Sequence, residues 1–191
     1  MPVNFRKMTL NLAHAVLLVI DMQVAFQTQG QQVLNQVNET ISQCRQANLP
    51  IVFTQFGHKY VPEDCGVLCD FWGTDGVNMV GSPSFQLMSG LDVQDGDIIV
   101  EKYRYDAFYG TVLSDMLRVL KVDTVIVTGV KTNICCETTA RSAFSHDFKV
   151  VFVSDATAAN TEALHNATLL NIANCIGKVV TRHELYASLP N

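Results

Sequence analysis

The sequence contains few charged residues and no basic cluster. Asp, Glu, Lys and Arg together make up 16% of the 191 residues, and the formal net charge is −5. Because a nucleic-acid binder needs clustered Lys and Arg to neutralise phosphates, this composition disfavours a nucleic-acid partner. The hydrophobic share of 48% argues against disorder and indicates a sizeable core. Length and composition together predict one globular domain over residues 1–191.

Long hydrophobic runs are also missing. The longest uninterrupted apolar run covers residues 15–20, far short of the roughly 20 residues that span a bilayer. The first eight residues lack the apolar stretch and the small-residue cleavage site of a signal peptide. We therefore expect no membrane partner and a cytoplasmic location.

The six cysteines occur in a context that does not favour a disulfide framework. A domain of this length buries enough apolar surface without cross-links, so we expect mostly reduced thiols that pack as small apolar side chains. Cys65 and Cys69 are four residues apart, but no second Cys or His pair follows at the spacing of a zinc site. A structural zinc site is therefore disfavoured.

Six short apolar segments alternate with longer, helix-like ones. Continuous apolar strands are buried on both faces, which is typical of a parallel sheet covered by helices. The predicted strands are 15–20, 50–54, 97–100, 124–128, 149–154 and 178–181, and the predicted helices are 31–46, 111–120, 133–144 and 161–175. This alternation predicts an α/β fold, a three-layer, doubly wound, Rossmann-like sheet of six mainly parallel strands with helices on both faces.

Three chemically competent side chains directly follow predicted strands. Asp21 follows the first strand, Lys102 the third and Cys135 the fourth. Because ligands bind beyond the carboxyl ends of the strands in open α/β sheets, we expect these side chains to lie together. Cys135 falls in the first turn of a predicted helix, where the helix dipole and a nearby lysine would lower the pKa of its thiol. Asp21 could accept the thiol proton, and backbone N–H groups around Lys131 and Cys135 could bind an oxyanion.

Each of these residues also has an ordinary structural explanation. An aspartate after a strand is often a turn residue, Lys102 could be solvated, and Cys135 could be a core thiol. The occurrence of three complementary groups at neighbouring strand ends favours a catalytic site.

The segments that carry these residues resemble the isochorismatase-like cysteine hydrolase superfamily. This superfamily includes nicotinamidases, N-carbamoylsarcosine amidase, ureidoacrylate and biuret amidohydrolases, and isochorismatase. The segments that carry the resemblance are 17–23 with Phe26, Lys102 with 105–108, and 129–135 with 139–141.

The resemblance implies a catalytic triad of Cys135, Asp21 and Lys102. In the superfamily the cysteine attacks an amide-type carbonyl, the aspartate handles the proton, the lysine supports the charged pair, and a thioester intermediate is hydrolysed. The resemblance also implies a cis peptide between Val130 and Lys131 and an oxyanion hole to which the N–H of Lys131 contributes. Cys136 is interpreted as a packing residue, with a resolving role beside Cys135 as the alternative.

The sequence departs from the nicotinamidases at their metal site. They carry Asp-x-His-x-x-x-His after the second strand, whereas this stretch is Phe56-Gly-His58, with Pro62 at the last ligand position. With two of three ligands missing, we expect no metal and no cofactor, and nicotinamide becomes a weaker substrate candidate. His58 is then better explained as a histidine of the pocket wall or surface than as a ligand.

Aromatic side chains in segment 56–96 and in the loops after the strands predict an apolar substrate pocket. The candidate substrate-binding residues are Phe26, His58, Trp72, Arg104, Tyr105 and Phe108, with Tyr60 and Phe71 as further wall candidates. The aromatic residues could equally pack in the core or at an interface, and Arg104 could form a surface salt bridge instead of binding a carboxylate. Because members of the superfamily are commonly dimers or tetramers, we expect a homodimer or homotetramer, with Phe71 and Trp72 as a candidate contact.

The leading functional prediction is a cofactor-independent cysteine hydrolase. It would cleave the C–N bond of a small amide, ureide or carbamoyl compound. One alternative is an isochorismatase-type vinyl-ether hydrolase. Another is a thiol redox or sensing protein that uses Cys135 and Cys136, although adjacent cysteines rarely bridge without backbone strain. A catalytically silent binding scaffold is the last alternative.

Overall fold

The sheet at the centre of the molecule has six strands, all parallel. The computed structural model describes residues 11–190. Its strands are β1 (Ala15–Ile20), β2 (Ile51–Phe56), β3 (Ile98–Lys102), β4 (Thr124–Val130), β5 (Lys149–Ala158) and β6 (Lys178–Val180). They are ordered β3-β2-β1-β4-β5-β6, and every neighbouring pair is parallel. The predicted doubly wound α/β fold is confirmed.

Helices connect the strands. They are α1 (Gln27–Gln46), α2 (Val67–Trp72), α3 (Leu113–Val119), α4 (Glu137–Ser145), α5 (Glu162–Cys175) and α6 (Arg182–Tyr186). Short 3₁₀ helices cover Leu12–His14, Val24–Phe26, Thr74–Gly76 and Pro83–Phe85, and a π-helix covers Thr132–Cys136. The single helix predicted over 133–144 is therefore a π-helix followed by α4, and the sequence did not predict α2 or α6. None of the helices described between residues 11 and 190 is long and apolar enough to cross a membrane.

The side chains of β1 alternate between two hydrophobic cores. Leu17 and Val19 pack on the face that is covered by α1, and Val16, Leu18 and Ile20 pack on the face that is covered by α3, α4 and α5. All six residues of β1 are buried. Burial on both faces explains why this strand is a continuous apolar run without alternating polar residues.

The chain changes direction between β1 and β4. After β1 it continues to β2 on one side of the sheet, and after β4 it continues to β5 on the other side. This arrangement opens a crevice at the carboxyl ends of β1 and β4, where open α/β sheets bind ligands. Gly129 lies opposite Ile20 at this edge with φ +103°, and a Cβ there would overlap the carbonyl oxygen of Ile20. Glycine therefore allows β4 to approach the strand end that carries Asp21.

Cys65 and Cys69 form a disulfide, so the expectation of reduced thiols is wrong for this pair. Their Cα atoms are 5.7 Å apart, a separation in the range that disulfides bridge. Cys65 lies in the turn before α2 and Cys69 lies within α2. Cys44, Cys135, Cys136 and Cys175 are free.

Candidate active site

The structure brings Asp21, Lys102 and Cys135 together at the carboxyl edge of the sheet. Asp21 follows β1 and Lys102 ends β3, with β2 between them. The lysine side chain is long enough to cross this gap, and its Nζ lies 4.9 Å from the ring centre of Phe56, the last residue of β2. It ends 2.7 Å from Oδ2 of Asp21, and neither side chain has any solvent exposure.

Thr54 holds the other carboxylate oxygen of Asp21. Its hydroxyl donates to Oδ1 of Asp21 at 2.6 Å and accepts from the backbone N–H of Asp21 at 3.1 Å. Asp21 has φ +47°, a left-handed conformation that aspartate tolerates better than most residues. One oxygen of the carboxylate therefore faces the hydroxyl of Thr54, and the other faces the ammonium of Lys102.

Lys102 is held in its charged form by its surroundings. Its Nζ donates to the carbonyl of Arg104 at 3.0 Å and to that of Tyr105 at 3.4 Å. Burial by itself would lower the pKa of Lys102, but Asp21 and Cys135 together outweigh it and raise that pKa. The site thus contains a complete ion pair, buried and hydrogen-bonded.

Cys135 lies in the π-helix with only 5% of its surface exposed. Burial raises the pKa of its thiol, Lys102 lowers it, Asp21 raises it, and the net effect is upward. The expectation of a lowered pKa is therefore wrong. The positive charge of Lys102 is already balanced by Asp21, so it does not offset the loss of hydration that a buried thiolate suffers. Burial therefore favours the thiol form of Cys135 over the thiolate.

The backbone beside the cysteine forms a tight turn. The peptide between Val130 and Lys131 is cis. The carbonyl of Lys131 accepts from the N–H of Ile134 at 3.1 Å and from that of Cys136 at 3.2 Å. Cys136 itself is fully buried, with its sulfur 3.9 Å from the carbonyl of Thr128, which agrees with a packing role.

A cavity of about 220 Å³ lies next to Cys135. Its walls combine aromatic and aliphatic side chains with a few polar groups: Ala25, Phe26, Phe56, His58, Leu68, Trp72, Gly76, Val77, Tyr105, Val130, Lys131, Ile134 and Cys135. Phe26, His58, Trp72 and Tyr105, which the sequence singles out as substrate-binding candidates, are among them. The indole N–H of Trp72 donates to the hydroxyl of Tyr105 at 2.7 Å and joins α2 to the loop after β3.

The structure does not bring the other two candidates to this cavity. Phe108 is buried in the core and stacks on His146 and Phe148. The N–H of the neighbouring Ala107 donates to the hydroxyl of Thr139 at 3.1 Å. The guanidinium of Arg104 donates to the backbone carbonyl of Asp64 at 2.6 Å, so its contact stabilises a loop.

The two further wall candidates face outward. Tyr60 is 71% exposed and Phe71 is 77% exposed, and neither lines the cavity. Trp72 is half exposed and lies edge-to-face against Phe71. The homo-oligomer with Phe71 and Trp72 at its contact stays a prediction.

His58 is the most buried polar group of the cavity wall. Its side chain has no exposure, and its Nδ1 lies 3.3 Å from Oδ1 of Asp64. Burial lowers the pKa of His58, and Asp64 offsets part of this effect. Across the part of the chain that the structure describes, no three His, Cys, Asp or Glu side chains are grouped so that they could hold a metal ion.

Sequence reasoning missed three residues that shape the site. Thr54 carried a usable signal, because it is a hydroxyl residue inside an otherwise apolar buried strand. Phe56 was considered only as the occupant of a metal-ligand position, although it lies between Phe26 and Tyr105 with ring centres 6.3 and 6.2 Å away. Asp64 gave no signal, since it lies in an irregular segment without periodicity.

The comparisons with known proteins identify the family of this chain. The family model described as the isochorismatase domain matches residues 15–184. The chain is 42% identical over 186 residues to nicotinamidase 3 of Arabidopsis thaliana, covering 96% of this chain and 93% of that protein. It is 34% identical over 184 residues to the isochorismatase of Bacillus subtilis, covering 93% of this chain and 58% of that protein. A solved cysteine hydrolase from Pseudomonas syringae pv. phaseolicola matches with a TM-score of 0.91 at 26% identity, covering 99% of this chain and 98% of that one. The chain belongs to the isochorismatase family of hydrolases.

Proposed function

We propose that this hydrolase cleaves the C–N bond of a small amide, ureide or carbamoyl compound through a thioester on Cys135. The observation that carries the proposal is the buried Asp21–Lys102 ion pair, which acts on the thiol of Cys135 beside an aromatic cavity. An acid–base group and a sulfur nucleophile in contact are the elements that acyl transfer needs.

The raised pKa of Cys135 supports the proposal that Asp21 acts as the base. As the sulfur attacks the substrate carbonyl, the S–H proton passes to the carboxylate and an S–C bond forms. When the tetrahedral intermediate collapses, the C–N bond breaks and Asp21 returns the proton to the leaving nitrogen. Water then attacks the thioester, which releases the acid and regenerates the thiol.

Lys102 and Thr54 hold the carboxylate of Asp21 in place through this cycle. The ammonium of Lys102 contacts one carboxylate oxygen at 2.7 Å, while Thr54 donates to the other at 2.6 Å. The aspartate therefore cannot rotate away from the thiol without breaking a short contact. A fixed base saves the reorganisation that a mobile one would need.

The backbone N–H groups of Lys131 and Cys135 are the proposed oxyanion hole. The N–H groups of Ile134 and Cys136 already donate to the carbonyl of Lys131 and are therefore occupied. Both proposed donors belong to residues that line the cavity. Hydrogen bonds to the developing oxyanion would lower the barrier to attack.

The cavity limits the substrate to a small molecule. Its volume of about 220 Å³ lies below the roughly 300–1,000 Å³ of typical ligand pockets, which favours a small substrate. The rings of Phe26, Phe56, Trp72 and Tyr105 suit a flat group, such as a planar ring or a ureide.

A screen of small amides and ureides for release of ammonia tests the proposal. Cys135→Ala should abolish turnover while its circular dichroism spectrum stays that of the wild type. Cys175→Ala is the matched control, because Cys175 is free and exposed at the end of α5. Hydrolysis that survives in Cys135→Ala would contradict the proposal. Isochorismate belongs in the same screen, since the Bacillus subtilis relative is an isochorismatase.

A further inference from the structure

One buried polar side chain of the cavity wall is not used by the proposed chemistry. His58 lines the cavity with no solvent exposure. Neither of its ring nitrogens has a hydrogen-bond partner among residues 11–190. Its backbone is fixed on both sides, because its N–H donates to Asn78 at 2.8 Å and its carbonyl accepts from Val80 at 2.9 Å. A buried, unpaired imidazole in a rigid position is unfavourable unless a ligand completes its hydrogen bonding.

Asp64 determines which nitrogen of His58 carries the proton. Oδ2 of Asp64 accepts from the backbone N–H groups of Lys59 and Tyr60 at 2.6 and 3.1 Å, so the carboxylate cannot turn freely. Its Oδ1 therefore faces the ring, 3.3 Å from Nδ1, although the two atoms are not aligned for a hydrogen bond. The negative charge favours the tautomer with its proton on Nδ1.

The other ring nitrogen is then left with a free lone pair. Burial lowers the pKa of His58 and Arg104 adds to this, while Asp64 partly offsets it, so the ring is neutral at neutral pH. Asp64 does not line the cavity, whereas His58 does. Nε2, which has no hydrogen-bond partner, is accordingly the ring nitrogen left to accept from a ligand in the cavity.

We propose that Nε2 of His58 is a hydrogen-bond acceptor that selects substrates with an N–H or O–H donor in addition to the scissile amide. The inference rests on the proposed amidohydrolase function and narrows its substrate class. Most of the remaining wall is aromatic or aliphatic. An acceptor such as a pyridine nitrogen would place one lone pair against another and would be rejected.

Three amides, each with a single ring, test whether the site prefers a ring donor, a ring acceptor or neither. Pyrrole-3-carboxamide carries a ring N–H donor, benzamide carries no polar ring atom, and nicotinamide carries a ring acceptor. Trp72 is the only tryptophan of the chain and lines the cavity, so its fluorescence reports binding. In the Cys135→Ala background, which prevents turnover, we expect pyrrole-3-carboxamide to bind about tenfold more tightly than benzamide, and nicotinamide to bind most weakly.

Asp64→Asn should reverse this order. The two backbone N–H groups at the Oδ2 position require an oxygen there, so the amide NH₂ of the new side chain takes the place of Oδ1. That NH₂ donates to Nδ1 and moves the ring proton to Nε2, which becomes a donor. Nicotinamide should then bind most tightly. Glu63→Gln is the control, because it removes the same charge from an exposed neighbouring residue, and it should keep the original order.

Two results would overturn the inference: equal affinities of the three amides in the parent, or an unchanged order in a folded Asp64→Asn variant. His58→Phe provides a second test, because it should abolish the differences among the three amides. Binding is measured without turnover, so a failure of the inference is distinguishable from a failure of the proposed function. Hydrolysis of no amide by the wild type would contradict the function, while the binding order would still report on His58.

Discussion

The ammonium of Lys102 lies 2.7 Å from Oδ2 of Asp21, with both side chains excluded from solvent. Transfer of two charges from water to the interior is unfavourable, and mutual attraction compensates for it only while both partners are present. Removal of one partner therefore leaves the other charge buried and unpaired, which lowers the free energy of unfolding. The stability of a variant therefore reports on the charge pairing, whereas its activity reports on the chemical role of the pair.

Lys102→Met should destabilise the protein by about 3–5 kcal/mol, because it leaves Asp21 charged and buried without a partner. Adding Asp21→Asn to this variant removes the second charge and should recover at least half of the lost stability. The double variant should still be inactive, since it has no base for Cys135. Urea denaturation together with the ammonia assay measures both effects. A double variant as unstable as Lys102→Met would show that the charges are not the cause.

Thr54→Val should weaken catalysis through Asp21. The change keeps the volume of the buried side chain but leaves Oδ1 and the N–H of Asp21 without their partner, at a cost of about 1–3 kcal/mol in stability. The carboxylate also becomes free to turn, so kcat should fall more than KM rises. Thr40→Val is the matched control, because that buried hydroxyl bonds to Gln36 in α1, away from the site. Equal losses of kcat in both variants would argue against a positioning role for Thr54.

Gly129→Ala should prevent β4 from packing against the end of β1. The added Cβ would lie 2.7 and 2.9 Å from the backbone N and C atoms of Ile20, and neither strand can give way inside the sheet. Gly96→Ala provides the comparison, because Gly96 also has positive φ (+93°) but nothing lies within 4 Å of its Cβ position. For Gly96→Ala, thermal melts should show that the free energy of unfolding falls by about 1 kcal/mol, because of backbone strain alone. A similar small shift for Gly129→Ala would contradict the packing argument.

The strands and the three site residues were predictable because each depends on a strong local signal. Residues 15–20 are apolar throughout, since both faces of β1 are covered, and Asp21 directly follows them. The carboxyl ends of parallel strands lie at one edge of the sheet. The residues that follow the strands therefore lie at that edge, whatever the length of the connections. The same argument predicts the position of Lys102, although β2 separates its strand from β1.

The parts that could not be predicted depend on long-range contacts. Phe108 is buried against His146 and Phe148, which lie far along the chain, and the neighbouring Ala107 bonds to Thr139 of α4. The contact between His58 and Asp64 lies in an irregular segment, where no sequence periodicity predicts which side chains are in contact. The pKa of Cys135 was misjudged for a related reason. A helix start is visible in the sequence, whereas the burial of the sulfur follows from tertiary packing.

The thiol of Cys135 should stay protonated in the folded protein at neutral pH. Its raised pKa means that the folded protein holds the thiol form well above the pH of about 8.5 at which a free cysteine loses its proton. The ultraviolet absorbance of a thiolate, measured as the difference between wild type and Cys135→Ala, should therefore be absent between about pH 6 and about pH 9. A deprotonation near neutral pH would contradict the assignment of Asp21 as the base.

Stability provides an independent measurement of the same group. Above about pH 8.5 the unfolded chain has lost the proton of Cys135 while the folded chain retains it, so the free energy of unfolding must fall as the pH rises. The contribution is complete below the unfolded pKa and is lost toward the folded one, with a slope of up to about 1.4 kcal/mol per pH unit. Cys44, whose pKa is also raised by burial, is present in both proteins and cancels in the difference. The pKa of Cys136 is raised mainly by burial, which both proteins share. Urea unfolding of wild type and Cys135→Ala from about pH 7 to about pH 10 should accordingly show the wild type losing stability relative to the variant. A difference that stays constant over this range would mean that the sulfur is ionised to the same extent in the folded and unfolded chains, and that burial does not control its reactivity.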